Sequence, residues 1–527
     1  MPLPKPPKFE VKVTDLGGRI GRLSTKTSTF ETPALLPVIH PVKQLVPCPE
    51  IKSMGYDAVM TNAYTTFRRL RERAGEGIHK LIGYDGSVMT DSGGYQVLEF
   101  GGVDVGVEEM ARFEEEIGSD IAIVLDQPTG LEVTKKYAYE TVRQTISAAR
   151  RTAKVVTRED MIWTLPIQGG KYLDLVESSA RESSKLNFGC YALGSPVEVM
   201  EEYDFSLLVR MIVACKRRLP EDRPFHLFGA GHPLILPLAI ALGCDMFDSA
   251  SYMLYAKQDR YIASYGTIRL DKLEYLPCEC AMCSTLTASE LKRLQGQERA
   301  IALARHNLFA LRRVINESKQ AIWEGRLWEY VHANSKNHPK ALEAFKLATS
   351  LASGQFEVGT PAFKDRGIFI SEALDASRPE VQRYRMKLKQ LSIPASRDQL
   401  LIVPETKKKP FLTSDLYGEL CAIVSHKRVL ITYLSPNYGL VPAELSDIFP
   451  LSQSTSTLND FPSDDPILNK RKWKRIFVLA PKTHLAVDRW VREELEHSKY
   501  KKSLKSAISF SRTYRSFKDK VSPSSVD

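Results

Sequence analysis

Cys278-Glu279-Cys280-Ala281-Met282-Cys283, with His306 further along, offers four soft or borderline ligands at a spacing able to close a tetrahedron around zinc. Four protein ligands leave no open position for water, so an ion held this way is structural. Chemistry then falls to other residues. Two aspartates stand out: Asp91 in Thr90-Asp91-Ser92-Gly93-Gly94-Tyr95-Gln96, and Asp248 in Phe247-Asp248-Ser249-Ala250. Each directly follows an apolar run. Two carboxyls that meet at one substrate can divide the labour, one attacking as a nucleophile and the other moving a proton. Taken singly, each has a plainer reading. Asp-Ser-Gly-Gly is a common Asx-turn or cap, and Asp248 before Ser249 reads as a cap as well. Three clustered cysteines are much harder to explain as unrelated core thiols.

The elements that must position these residues follow a rhythm of short apolar runs and longer helical stretches between residues 30 and 255. Candidate strands are Thr32–Ile39, Asp57–Thr61, Ser87–Thr90, Ile121–Leu125, Met161–Ile167, Tyr191–Leu193, His226–Phe228 and Met246–Phe247. Stretches such as Val107–Ile117 and Thr134–Val156 have helical composition and period. Eight such units predict an α/β fold, a (β/α)8 TIM barrel, whose reactive groups sit at strand carboxyl ends. Asp91, Asp126, Gln168, Gly194 and Asp248 each follow an apolar run, a placement that an open doubly wound sheet would also give, so it supports a parallel α/β fold more strongly than the barrel that is preferred here. Ala288–Asn316 reads as one helix, opened by a capping box of Thr287 and Glu290, and it would carry His306 back to the cysteines.

The chain has 527 residues, 43% hydrophobic and 26% charged, which suits a folded protein with a large core and excludes a disordered one. Eight cysteines, five of them scattered, form no disulfide framework and predict a reducing cytoplasm. The proline-rich start is not a signal peptide, and the apolar run 233–243 is well short of the ~20 residues that span a bilayer. Net charge is +10, and residues 470–527 hold 16 basic against 6 acidic residues, so the whole excess lies there. Such a patch suits a polyanion partner, or simply a solvated helix face. No glycine follows Gly439, which predicts a helical or mixed tail, most simply a helical one, in place of a small β-barrel. The domains expected are 1–355, with a zinc subdomain at about 275–310, then a smaller α+β region at 356–469 and the basic tail at 470–527.

Asp91-Ser92-Gly93-Gly94-Tyr95-Gln96, Gln168-Gly169-Gly170, Asp248-Ser249-Ala250 and the Cys-x-Cys-x-x-Cys with its later His occur in one order, and with them the chain resembles the tRNA-guanine transglycosylases. The archaeal branch fits best, since Leu434-Ser435-Pro436-Asn437-Tyr438-Gly439-Leu440-Val441-Pro442-Ala443-Glu444-Leu445 is similar to a signature of its accessory region. The resemblance covers residues 1 to about 350 well and the rest loosely. It implies a TIM barrel with a zinc subdomain that replaces guanine fifteen in the tRNA D-loop with 7-cyano-7-deazaguanine, toward archaeosine.

Such an exchange breaks and remakes an N-glycosidic bond on one face of the ribose, which two carboxylates accomplish in retaining glycosidases. By resemblance Asp248 is the nucleophile and Asp91 the general acid/base; the sequence itself leaves the two roles interchangeable. Asp126 matches the purine-binding aspartate and suits the N1-H and amine edge of a guanine-like base. Gln168 and backbone donors near Gly194 and Ser195 suit O6, with Ser92 beside them. Pro196 lacks an N-H, so the backbone donor must lie at Ser195 or earlier. Tyr95 stacks on the base or packs the core. His226 and His232, near Gly229-Ala230-Gly231, read as structural or RNA-contacting. Zinc at Cys278, Cys280, Cys283 and His306 is the only cofactor implied. The expected partners are tRNA, guanine and 7-cyano-7-deazaguanine, a second copy of the chain, and a separate RNA-binding helper if the basic tail does not replace the PUA domain found in many archaeal relatives. A non-catalytic tRNA-binding subunit and an archaeosine synthase-like paralogue are the alternative readings.

Overall fold

Eight apolar runs become eight parallel strands closed on themselves in the computed structural model, which describes residues 7–94, 105–458, 461–480, 485–497, 508–513 and 516–517. Met1–Thr360 and Pro361–Asp527 are two compact units. In the first, three antiparallel strands come before the barrel: β1 (Phe9–Asp15), β2 (Gly18–Ser24) and β3 (Thr29–Thr32). The barrel strands follow as β4 (Ala34–Ile39), β5 (Ala58–Asn62), β6 (Ser87–Asp91), β7 (Ile121–Ile123), β8 (Ile162–Ile167), β9 (Cys190–Leu193), β10 (Phe225–Leu227) and β11 (Met246–Ser249). Pairing of Met246 with Ala34 closes the ring. Helices link successive strands, as parallel pairing demands, and the expected (β/α)8 barrel is the observed one.

Strand composition explains the closure. β8 reads Ile-Trp-Thr-Leu-Pro-Ile with all six residues buried, the continuous apolar pattern of a strand covered on both faces. Inside, Leu36, Met60, Met89, Ile121, Ile123, Ile162, Cys190 and Met246 form one cluster, and Leu23 and Phe30 of β2 and β3 join it. A buried ion pair strengthens one seam: Arg19 on β2 donates to Asp245, whose carboxylate also accepts the Phe225 N-H. Asp245 thereby ties the starts of β10 and β11 together.

After β11 comes helix Ser251–Lys257, then the hairpin of β12 (Arg260–Ala263) and β13 (Gly266–Arg269). Thr287 and Glu290 form the expected capping box. The helix it opens is short, Ala288–Arg293, and a second helix runs from Gly296 to Trp323. The single predicted helix is broken at Leu294 and Gln295, where both residues adopt extended ψ angles. No helix among the described residues is long and apolar enough to cross a membrane.

The second unit holds a short pair, β14 (Ile368–Ile370) with β18 (Ser454–Ser456), and a five-stranded sheet. That sheet contains β15 (Gln399–Pro404), β16 (Val429–Ser435), β17 (Gly439–Pro442), β19 (Arg475–Leu479) and β20 (Ile508–Ser511), in the order β17-β16-β15-β19-β20. Only β17 is antiparallel. Of the two forms expected for residues 470–527 the helical one is corrected and the mixed one found: only Leu485–His497 and residues 516–517 are helical among its described residues, and the tail supplies two strands of the sheet. Missing glycine misleads because parallel strands are joined through helical crossovers and need no tight glycine turn. Trp473, Ile476, Phe477, Val478, Val487, Trp490 and Val491 all lie in the buried core of this unit. Phe477→Ala is accordingly expected to cost about 3–5 kcal/mol of stability, read by urea denaturation with a probe in residues 361–527; a loss below about 0.5 kcal/mol would return the segment to the status of an appendage.

Candidate active site

The barrel's carboxyl rim gathers the residues that the sequence singled out. Asp91 ends β6, Gln168 follows β8, Gly194 follows β9, and Asp248 is the third residue of β11. Asp126 lies three residues past β7. Tyr95 falls outside the described residues.

Asp91 is held from two sides. Asn62, its register partner at the end of β5, donates from Nδ2 to Oδ2 at 3.0 Å, and the Gly93 N-H donates to Oδ1 at 3.1 Å. The second bond is the Asx-turn that the local sequence suggested, so the structural and chemical readings of Asp91 coexist. Asn62 cannot turn away, because its Oδ1 caps helix Ala63–Leu70 by accepting the Thr65 N-H at 2.7 Å. A small part of the Asp91 residue remains solvent-accessible, yet dense protein surrounds the carboxyl. Burial, reinforced by the nearby charge of Asp248, raises its pKa to about 6 against these two hydrogen bonds.

Asp126 is raised further, to about 7, by burial and by the charge of Asp91, with a hydrogen bond from Gln168 opposing. Gln168 is locked. Its Oε1 accepts from the Thr129 N-H, the Thr129 hydroxyl and the Ser195 hydroxyl, each at 3.0 Å. That leaves the amide nitrogen to face Asp126 Oδ2, to which it donates. A flipped amide would set oxygen against carboxylate and lose three donors. The Gly194 N-H is consumed by the Ile167 carbonyl, so it cannot serve a ligand. Ser195, in the left-handed region at φ 56°, makes no hydrogen bond through its N-H among the described residues. Glycine is required at two points here, since a Cβ on Gly94 would strike Asp126 and one on Gly194 would strike Gln168. The Ser92 hydroxyl, next to Asp91, is buried without a partner among the described residues.

Asp248 is no cap: helix Ser251–Lys257 has no side-chain cap, and Asp248 Oδ1 instead takes the Gly229 N-H at 3.0 Å and His226 Nε2 at 2.8 Å. Three carboxyls, Asp91, Asp126 and Asp248, therefore share one rim, with Asp91 sensing Asp248 and Asp126 sensing Asp91. Asn62 and Thr129 are the residues that sequence reasoning missed, and His226, read from the sequence as structural or RNA-contacting, is bonded to Asp248. Asn62 could have been found as the cap residue following a strand. Thr129 carried no local signal. His232 lies elsewhere, its ring near Tyr203.

Cys278, Cys280, Cys283 and His306 form one cluster with all ligand atoms within 4.8 Å of one another, a set that could hold a metal ion. His306 Nε2 lies 2.8 Å from the Ile262 carbonyl, which fixes the proton there and leaves the Nδ1 lone pair turned to the sulfurs. Tyr261 stacks on the ring at 3.6 Å.

Residues 15–340 match the family described as queuine tRNA-ribosyltransferase. The chain belongs to that family. It is 46% identical to the tRNA-guanine(15) transglycosylase of Aeropyrum pernix over 63% of this chain and 65% of that protein. Its identity to the protein of the same name from Pyrobaculum aerophilum is 41%, over 85% of this chain and 90% of the relative. For that from Methanosarcina mazei it is 40%, over 86% and 88%. Family membership makes the chain a transglycosylase, and the carboxyl rim is the face on which enzymes with this barrel carry their active sites.

The raised carboxyls carry a consequence for stability. Asp91 and Asp126 keep their protons to about pH 6 and 7 when folded, but lose them near pH 4 when unfolded, so the folded chain binds more protons across that window and loses stability as pH rises through it. Asp126→Asn is expected to raise Tm relative to the parent at pH 8 and to leave it nearly unchanged at pH 4; an equal shift at both values would contradict the assignment.

Proposed function

We propose that this chain replaces the guanine at position fifteen in the D-loop of tRNA with 7-cyano-7-deazaguanine, through a covalent ribosyl-Asp248 intermediate, as a step toward archaeosine. The observation that carries the reading is the convergence of Asp91 and Asp248 at one rim, beside the locked Asp126–Gln168 pair. In the first half, Asp248 bonds to C1′ while the C1′–N9 bond breaks, its electron pair goes to guanine, and Asp91 gives the base a proton. In the second half, Asp91 takes a proton from the incoming base, whose nitrogen attacks C1′ and returns the ester electron pair to Asp248. Two displacements preserve the face of the ribose and never cut the phosphate backbone. A pKa of about 6 lets Asp91 work in both directions near neutrality.

Asp126 would accept from the N1-H and amine edge of the base. The second hydrogen of the Gln168 amide and the Ser195 N-H would donate to O6, and the unpartnered Ser92 hydroxyl would find its partner in the substrate. A non-catalytic RNA-binding subunit would have no use for carboxyls pressed together at the cost of raised proton affinity.

The metal cluster suits zinc. Bonds of about 2.3 Å to sulfur and 2.0 Å to nitrogen separate those atoms by about 3.5 Å in a tetrahedron, and Cys280 and Cys283 Sγ lie 3.6 and 3.4 Å from His306 Nδ1. The ion would supply folding energy there and no chemistry. Eight free thiols support a reducing, cytoplasmic setting. Part of the basic terminal charge is neutralised internally, as in Lys474 with Asp398 at 2.8 Å and Arg492 with Asp488 at 2.7 Å. The remainder is offered to tRNA, with a second copy of the chain or a helper protein as further partners.

Asp248→Asn is expected to abolish the denaturation-resistant protein–tRNA adduct and to cut guanine exchange by about 10³-fold or more; Asp91→Asn is expected to slow exchange by about 10²–10⁴-fold. Exchange within twofold of the parent in both variants would reject the roles. Removal of metal with a chelator is expected to release one zinc per chain and lower Tm by roughly 5–10 °C, and an unchanged Tm after metal loss verified by mass spectrometry would overturn the structural assignment.

A further inference from the structure

His226 is a fully buried imidazole whose two nitrogens have opposite fates. Nε2 lies 2.8 Å from Asp248 Oδ1, while Nδ1 is buried with no hydrogen-bond partner among the described residues. The topology makes this contact specific. β10 and β11 are adjacent and parallel, His226 pairs in register with Met246, and Asp248 lies two residues further along β11 on the same face. His226 therefore sits one layer below Asp248 inside the barrel and reaches up to it, with its ring against Phe228 at 4.9 Å.

The orphaned Nδ1 decides the protonation state. An imidazolium would bury a second N-H with no acceptor, and a proton on Nδ1 alone would do the same while setting the Nε2 lone pair against a carboxylate oxygen. The form that avoids both is the neutral ring protonated at Nε2, because a carboxylate can only accept. Oδ1 of Asp248 thus receives two neutral donors, the His226 Nε2-H and the Gly229 N-H. Oδ2 receives no hydrogen bond among the described residues.

We propose that His226 is the positioning residue of the nucleophile: it pins Oδ1 of Asp248 so that Oδ2 alone faces the ribose. This rests on the reading of Asp248 as the nucleophile. As Oδ2 bonds to C1′ and the C1′–N bond gives its pair to the departing base, Oδ1 becomes the ester carbonyl and its two hydrogen bonds weaken. When the incoming base displaces Asp248, charge returns to Oδ1 and both bonds strengthen. A neutral donor suits this cycle in both directions. A cationic partner would hold the carboxylate charge too firmly for attack, and no partner at all would leave the group free to rotate about its terminal torsion.

The test is a length series at one position. The Gln side chain carries an N-H to where His Nε2 lies, whereas the Asn amide stops near the Nδ1 position and Phe offers no donor. His226→Gln is expected to stay within about tenfold of the parent in single-turnover adduct formation, and His226→Asn and His226→Phe to lose about 10- to 100-fold more. KM for the free base should stay within about threefold throughout. Equal losses in the Gln and Asn variants, or rates within twofold of the parent in all three, would overturn the proposal. So would a loss confined to KM. If Phe fails to fold, Gln against Asn still decides. Peptide mapping of the parent adduct separates the two levels: an adduct on Asp248 with a flat series rejects only the positioning role, and an adduct attached elsewhere rejects both.

Discussion

Carboxyl groups resist being crowded away from water, and the site of this protein exists because a closed parallel barrel forces three of them onto one rim. Burial and mutual repulsion raise Asp91 and Asp126 into the range where a proton can be given and taken near neutrality. The barrel can impose this only because the strands below are continuous apolar runs whose burial outweighs the local cost. Donors from neighbouring residues limit that cost. Asn62 donates to Asp91, Gln168 to Asp126, and His226 with Gly229 to Asp248. Each donor is itself fixed by strand register, by a helix cap or by the Thr129–Ser195 lock, so the carboxyls are oriented as well as paired.

The metal cluster is tied to the same rim through one polar residue. Asn307, next to His306, donates to the carbonyls of Tyr252 and Arg260 and accepts the Ile262 N-H. Tyr252 lies in the helix that directly follows β11, and Ile262 is also the residue whose carbonyl orients His306. Ligand geometry at the cysteines and the path of the chain leaving Asp248 therefore share a fixed frame. A structural ion can matter to a reaction in this way without touching a reacting atom.

Particular residues mark how far the sequence could be read. Asp91, Asp126, Gln168, Gly194 and Asp248 were legible because each ends an apolar run, and a strand end is a local property. The cysteines were legible because their spacing is short. His226 was not, since its meaning depends on which strand lies beside its own. Thr129 was not, because nothing local says that a loop threonine will clamp a glutamine 39 residues away. The terminal segment failed for a different reason: glycine content reports tight turns, and Arg475–Leu479 and Ile508–Ser511 join their sheet through long connections that need none.

The sequence by itself determined a parallel α/β fold with eight strand candidates in order, the candidate carboxyls and the cluster of three cysteines, because periodicity, strand-end placement and ligand spacing are encoded within a few residues of each other. Tertiary structure alone decided which oxygen of Asp248 is occupied, which way the Gln168 amide faces, that the Gly194 N-H is already committed, and that the basic end of the chain is part of a core. Those facts depend on distance and direction between residues tens to hundreds of positions apart. Such relations arise only when burial of the apolar strands has fixed their register.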